Sequence, residues 1–255
     1  MVFSAPLRDG DTEYYRQVIL QEGKIVEKHL SRDEFMGVFQ SNLFRYADIF
    51  IPCGGRPSTV NIDNWTSYAN GEGNGCRAIV EGANSFLTPA ARIALQKSGI
   101  LDVKDASANK CGVITSSYEI LAGLMLDEDE FRKEKEILVP QVMEILAFNA
   151  KREAEWLFAT RRATGEFLTD LTDRLSRSIN AKNVEISEYL DSHPEIITDE
   201  LLLDHLPAMF STSYRDRLKR LPAEYRKAIA SVDLAGRIIY NEAGSLENEI
   251  RGVLR

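Results

Sequence analysis

An α/β fold is predicted, a small parallel sheet followed by an all-helical C-terminal region, and three observations predict it. Across residues 48–107, short β-branched apolar runs alternate with turn residues and a helical pattern, the grammar of strand–helix–strand units. Each run exits into a loop of small or polar residues. From Val113 to Leu254, apolar residues recur instead at one-turn spacing, as on the buried faces of amphipathic helices.

The opening segment, residues 1–46, is the least legible, with one helical pattern over 14–20 and another over 35–43. Three strands follow within a predicted α/β domain of residues 47–126. Ile49-Phe50-Ile51 ends at Pro52, Ala78-Ile79-Val80 at Glu81-Gly82, and Ile100-Leu101-Asp102-Val103 at Lys104-Asp105. Between the second and third, Thr88-Pro89 opens a helix with Ala91, Ala94 and Leu95 on one face. Pro89 sits where a first turn tolerates it, and Gly99 falls just past the end. The crossover between those strands is expected to be right-handed.

Asn70-Gly71-Glu72-Gly73-Asn74-Gly75 reads as a surface turn, because a phosphate cradle needs glycines that follow a strand and open a helix, whereas these precede one. The G-x-G-x-x-G fingerprint occurs nowhere in the chain. A helical region of residues 127–255 is predicted from Leu121, Leu124 and Met125 onward, through Ile137, Val142, Ile145 and Leu146, to Leu168, Leu171, Leu175 and Ile179. Asp127-Glu128-Asp129-Glu130, followed by Arg132 and Lys133, reads as a helix start, since acids suit a first turn. Breaks are expected near Gly165 and at His193-Pro194, Leu206-Pro207 and Leu221-Pro222. With no repeat or low-complexity linker, the tail is expected to pack as one unit with the α/β part.

Composition is that of an ordinary folded protein: 255 residues, 44% hydrophobic and 27% charged. A net charge of −8 opposes binding to nucleic acid or anionic lipid, either of which needs a positive field. No apolar run reaches the roughly 18 residues of a spanning helix. Cys53, Cys76 and Cys111 lie far apart, with no C-x-x-C pair and no histidine at ligand spacing, so neither a zinc site nor a disulfide framework is expected. An odd thiol count suits a reducing compartment, and cytoplasm is the expected location, with a mitochondrion the alternative in a eukaryote. No G-x-S-x-G elbow supports a hydrolase. His193 and His205 read as surface or hydrogen-bonded residues of the tail, and Trp156-Leu157-Phe158 as core, with an interface role for the aromatics as the alternative.

Function is expected at the strand exits. Pro52-Cys53-Gly54-Gly55-Arg56-Pro57, Glu81-Gly82-Ala83-Asn84 and the run from Asp105 through Asn109 to Ser117 each follow a strand, and ligands of open parallel sheets bind outside the strands' carboxyl ends. The three loops are therefore expected to share one crevice. Gly54 and Gly55 permit close approach of a flat or ribose-like group, while Asn84 and Asn109 offer donors and acceptors that match a carboxamide. If a helix starts near Gly112, the Ser116 hydroxyl lies about one turn in, where the positive helix end draws a carboxylate.

The motifs PCGGRP, IVEGAN and KDASANKCGVITSS, within residues 47–131, resemble the coenzyme domain of glutamate dehydrogenases in the form found in the large NAD-dependent enzymes. A weaker resemblance continues through Leu221-Pro222-Ala223-Glu224-Tyr225 and Asp233-Leu234-Ala235-Gly236-Arg237. It implies the second half of a Rossmann-type parallel sheet and the C-terminal part of an oxidoreductase that converts L-glutamate to 2-oxoglutarate and ammonia with NAD. It further implies that Cys53 and Gly54 border the adenosine side of the coenzyme, and that Asn84 and Asn109 address the nicotinamide ribose and carboxamide. Ser116 would contact the substrate's side-chain carboxylate, with Val113 lining that pocket. The family's catalytic lysines and aspartate, like its phosphate-binding glycines, are expected upstream of this chain, so no catalytic residue is assigned within it and the chain alone is not expected to turn over. Lys104 and Lys110 are read as solvated or structural, since nothing around them lowers a lysine pKa. One departure stands out: Cys111 occupies a position where the family usually has glycine. The whole protein is expected to be a homo-oligomer. The alternative reading is a helical structural or regulatory module without catalysis.

Overall fold

The computed structural model describes residues 2–42, 47–69 and 76–241. The expected turn at 70–75 and the end of the tail lie outside them. By internal packing the chain forms two compact units, residues 1–102 and 103–255.

The first unit opens with an antiparallel sheet of β1 (Val2–Phe3), β2 (Leu7–Asp9), β3 (Thr12–Gln21) and β4 (Lys24–Leu30). β3 pairs with all three others. The helical pattern expected over 14–20 is thus wrong: those residues lie within β3. Two local features override the apolar spacing. Thr12, Tyr14, Tyr15, Val18 and Ile19 are β-branched or aromatic, types that favour a pleated surface. Glu22 and Gly23, the two residues joining β3 to β4, have φ of 49° and 77°, the all-positive geometry of a tight hairpin turn whose twist matches the strands. α1 (Arg32–Asn42) follows, where the second pattern was expected, opened by reciprocal bonds between Ser31 and Glu34.

The parallel sheet contains β5 (Ile49–Phe50), β6 (Ala78–Val80) and β7 (Leu101–Val103) in that order. Ile49 pairs with Ala78 and Phe50 with Ile79. α2 (Pro89–Lys97) joins β6 to β7. Thr88 caps it, its hydroxyl accepting from the Ala91 N–H at 3.3 Å, and Gly99 leaves with φ 98°. Ala91 and Leu95 from α2 pack with Val60, Ile79, Phe86, Leu87 and Ile100 into this unit's core.

The second unit is helical: α3 (Asp105–Ala108), α4 (Cys111–Met125), α5 (Glu128–Thr164), α6 (Leu168–Ser192), α7 (Asp199–His205), α8 (Ala208–Ser213) and α9 (Ala223–Asn241). The acidic cluster starts α5 as expected. Asp127 accepts from the Glu130 N–H at 2.9 Å, and the Glu130 carboxylate accepts the Asp127 N–H at 3.0 Å. Gly165 ends α5 at φ 76°, and the three expected proline breaks separate α6, α7, α8 and α9. Pro140 does not break α5, although an interior proline costs about 3 kcal/mol. Leu138 and Val142 on either side are buried, each contributing roughly 2 kcal/mol of apolar burial that offsets the loss. Leu121, Met125, Leu146, Ile186, Leu190, Leu234 and Ile238 continue the same core. Leu157 is buried, while Trp156 is half-buried with the Arg174 guanidinium 5.8 Å from its ring centroid. Among the described residues no helix is long and apolar enough to cross a membrane.

Candidate functional site

In the first unit, the loops leaving β5 and β6 interlock. A Cβ added to Gly82 would lie 2.9 Å from the Cys53 sulfur and 3.1 Å from the Pro52 carbonyl oxygen, so only glycine lets the β6 exit lie against the β5 exit. Gly55 has φ 123°, and a Cβ there would fall 2.8 Å from the Phe86 ring. Further along, the Ser58 N–H donates to the Ser85 carbonyl at 2.7 Å and the Val60 N–H to the Phe86 carbonyl at 3.0 Å. Val60 bridges Leu87 in parallel.

These contacts bring Cys53 and Gly54 to the same end of the sheet as Asn84. Cys53, Gly54 and Asn84 are exposed, and Gly54 has open space where a Cβ would stand. Ser58 and Ser85 hold φ of 59° and 54°, left-handed geometry that costs a non-glycine residue about 1 kcal/mol or more and gathers at ligand clamps. Sequence reading did not single out either serine, because the strain comes from pairing across 27 positions and not from a local motif. It also missed a buried ion pair. Glu81, fully buried, takes both Arg92 Nε and Nη2 at 2.7 Å.

The remaining expected residues lie in the second unit. Asn109 closes α3, its N–H donating to the Asp105 carbonyl at 2.9 Å. α4 begins at Cys111, and its cap residue Lys110 supplies no side-chain bond to the first turn. A helix start carries N–H groups without intrahelical partners and a positive dipole end, which together favour an anion there. Cys111 is exposed, takes a helical position and has no positive φ, so a cysteine here neither strains nor narrows the backbone. Val113 is 75% exposed, on the solvent face of α4. Ser116 is exposed as well, and its hydroxyl donates back to the Gly112 carbonyl at 3.0 Å. Thr115 and Ser117 do the same to Cys111 and Val113 at 2.7 and 3.1 Å.

Lys104 and Lys110 have structural partners, as their reading anticipated. The Lys104 ammonium donates to Asp173 on α6 at 2.5 Å, and Lys110 to both carboxylate oxygens of Glu153 on α5 at 2.7 and 2.6 Å. The Tyr240 hydroxyl also donates to Glu153, at 3.2 Å, and this residue triad lies along an open groove of about 1400 Å³ in the helical unit. The histidines of the tail are hydrogen-bonded or paired: His193 Nδ1 is 3.0 Å from the Tyr189 carbonyl oxygen and His205 Nδ1 is 3.5 Å from Asp233.

All three cysteines are free thiols, in different settings. Burial pushes the Cys76 thiol up to about 11, while Cys53 and Cys111 are exposed. A thiolate-selective alkylating reagent at pH 8 is therefore expected to label Cys53 and Cys111 in the folded chain, and Cys76 only after denaturation. Peptide mapping by mass spectrometry checks this, and rapid native labelling of Cys76 would contradict the packing described.

Residues 12–165, more than half of the chain, match the Glutamate/Leucine/Phenylalanine/Valine dehydrogenase family. The chain belongs to that family. Among individual dehydrogenases, it is 34% identical over 249 residues to glutamate dehydrogenase 2 of Dictyostelium discoideum, covering 88% of this chain and 22% of that protein. It is 30% identical over 245 residues to the NAD-specific glutamate dehydrogenase of Saccharomyces cerevisiae, with the same two coverages of 88% and 22%. With the NAD-specific glutamate dehydrogenase of Neurospora crassa, 33% identity extends over 214 residues, 78% of this chain and 20% of that protein. The chain thus spans about a fifth of the length of the curated dehydrogenases it matches. No solved structure gives a significant match.

Proposed function

We propose that this chain is the coenzyme-side and substrate-side portion of an NAD-dependent glutamate dehydrogenase, which oxidatively deaminates L-glutamate to 2-oxoglutarate and ammonia. The observation that carries the proposal is the grouping of Cys53, Gly54 and Asn84 at adjoining exits of a parallel sheet in a member of this family, beside relatives named NAD-specific glutamate dehydrogenases. Bound NAD supplies the hydride acceptor. The residues here fit its binding: open space above Gly54 admits a flat group, and the exposed Asn84 presents a carboxamide at the same sheet end. In this proposal Cys53 and Gly54 border the adenosine, and Asn84 and Asn109 hold the nicotinamide ribose and carboxamide. Val113 and Ser116 face the glutamate side chain, with the positive start of α4 favouring its carboxylate.

All of these groups bind and orient, and none is placed to abstract a proton or activate water. Assayed alone, the 255-residue chain is therefore expected to give no glutamate-dependent NAD reduction. A steady-state rate from it would mean that the proton-transferring groups lie within these residues and that the division of roles proposed here is wrong.

A further inference from the structure

We infer that the buried Glu81–Arg92 pair is a positioning device that fixes the β6 exit for coenzyme, and that its value lies in geometry more than in stability. The inference rests on the coenzyme reading above. Glu81 directly follows β6, three residues before Asn84, and it sits at the centre of a tight bend in which the Gly82 N–H donates to the Val80 carbonyl at 2.9 Å. Its carboxylate is 0% exposed and receives two parallel N–H bonds from Arg92, itself 8% exposed, at 2.7 Å each. A planar guanidinium gripping a carboxylate through two bonds fixes orientation as well as distance.

Arg92 is anchored in turn. Its N–H donates to the Thr88 carbonyl at 3.0 Å within the first turn of α2, so the pair ties the bend to the start of a rigid helix. The constraint passes on through packing. Gly82 has no room against Cys53 and Pro52, and Gly55 none against Phe86, so a rotation of the Glu81 peptide would displace the Cys53–Gly55 loop together with Asn84. The proposed adenosine and nicotinamide contacts of this unit thus share one anchor.

Stability alone does not account for such a pair. Desolvating two charges offsets most of their attraction, and well-packed apolar residues of similar volume usually serve the fold as well or better. That contrast separates positioning from mere support. In the active dehydrogenase that contains this chain, the apolar double variant Glu81→Leu/Arg92→Met is expected to keep its melting temperature and its KM for glutamate, while KM for NAD rises about tenfold. Arg92→Lys, which keeps the charge but loses the two-bond fork, is expected to raise KM for NAD by a smaller factor, about threefold, and provides the test if the double variant does not fold. An unchanged KM for NAD in a folded variant overturns the inference while leaving the coenzyme reading intact. If the unsubstituted enzyme shows no NAD-dependent oxidation of glutamate, the reading and the inference fall together.

Discussion

Replacing Glu81 with alanine is expected to destabilise the first unit by about 3–5 kcal/mol, a large share of the stability of an ordinary domain. The charge removed is fully buried, and it is the bidentate partner of a guanidinium that is itself only 8% exposed. Truncation takes away the compensating carboxylate and leaves the cost of desolvating Arg92 in place. The contrast with an exposed pair is the control. Glu128 and Arg132, one turn apart on α5, have side chains 78% and 72% exposed, and an exposed pair of this kind contributes roughly 0.3–0.5 kcal/mol. Urea unfolding of Glu81→Ala and Glu128→Ala side by side measures both. A loss below about 1 kcal/mol for Glu81→Ala would show that water or a rearranged neighbour replaces the carboxylate, and that the pair is not the anchor described.

Ser116→Ala is expected to lower kcat/KM for glutamate by about five- to thirtyfold in the active enzyme, chiefly through KM for glutamate, with KM for NAD nearly unchanged. A hydrogen bond to a charged group contributes roughly 1.5–3 kcal/mol. Part of that is given up here, because the Ser116 hydroxyl must leave the Gly112 carbonyl, to which it now donates at 3.0 Å, before it can donate to a carboxylate. Losing that back-bond costs about 0.5–1 kcal/mol, which leaves a net effect of roughly 1–2 kcal/mol. A purely local role for Ser116 has a different signature. The hydroxyl is exposed and does not cap α4, whose cap residue is Lys110, so alanine at 116 would then leave kinetics alone and raise helix stability by a few tenths of a kcal/mol. Both Michaelis constants and the melting temperature, measured on one preparation, distinguish the outcomes.

The parallel strands, α2 with its Thr88 cap and Pro89 start, and the breaks at Gly165 and the three prolines were legible because each depends on neighbours in sequence. A cap, a helix-opening proline or a left-handed glycine is local chemistry. The hairpin of β3 and β4 was also local, yet apolar spacing over 14–20 fits a helix and a two-sided strand alike, and the Glu22-Gly23 turn decides between them. The candidate site was legible only as separate loops. What binds those of the first unit into a constellation is long-range: Gly82 against Cys53, Gly55 against Phe86, Ser58 bonded to Ser85, and Glu81 gripped by Arg92. None of these has a spacing rule. The partners of Lys104 and Lys110, 69 and 43 positions away, were beyond local reading for the same reason.

The central claim is that this chain serves NAD-dependent oxidation of glutamate, and the most direct test is a steady-state assay of the complete polypeptide that carries it. With saturating L-glutamate, the account predicts reduction of NAD, release of ammonia and 2-oxoglutarate in equal amounts, and little or no reduction of NADP. No glutamate-dependent reduction of NAD by a folded, complete polypeptide would contradict it.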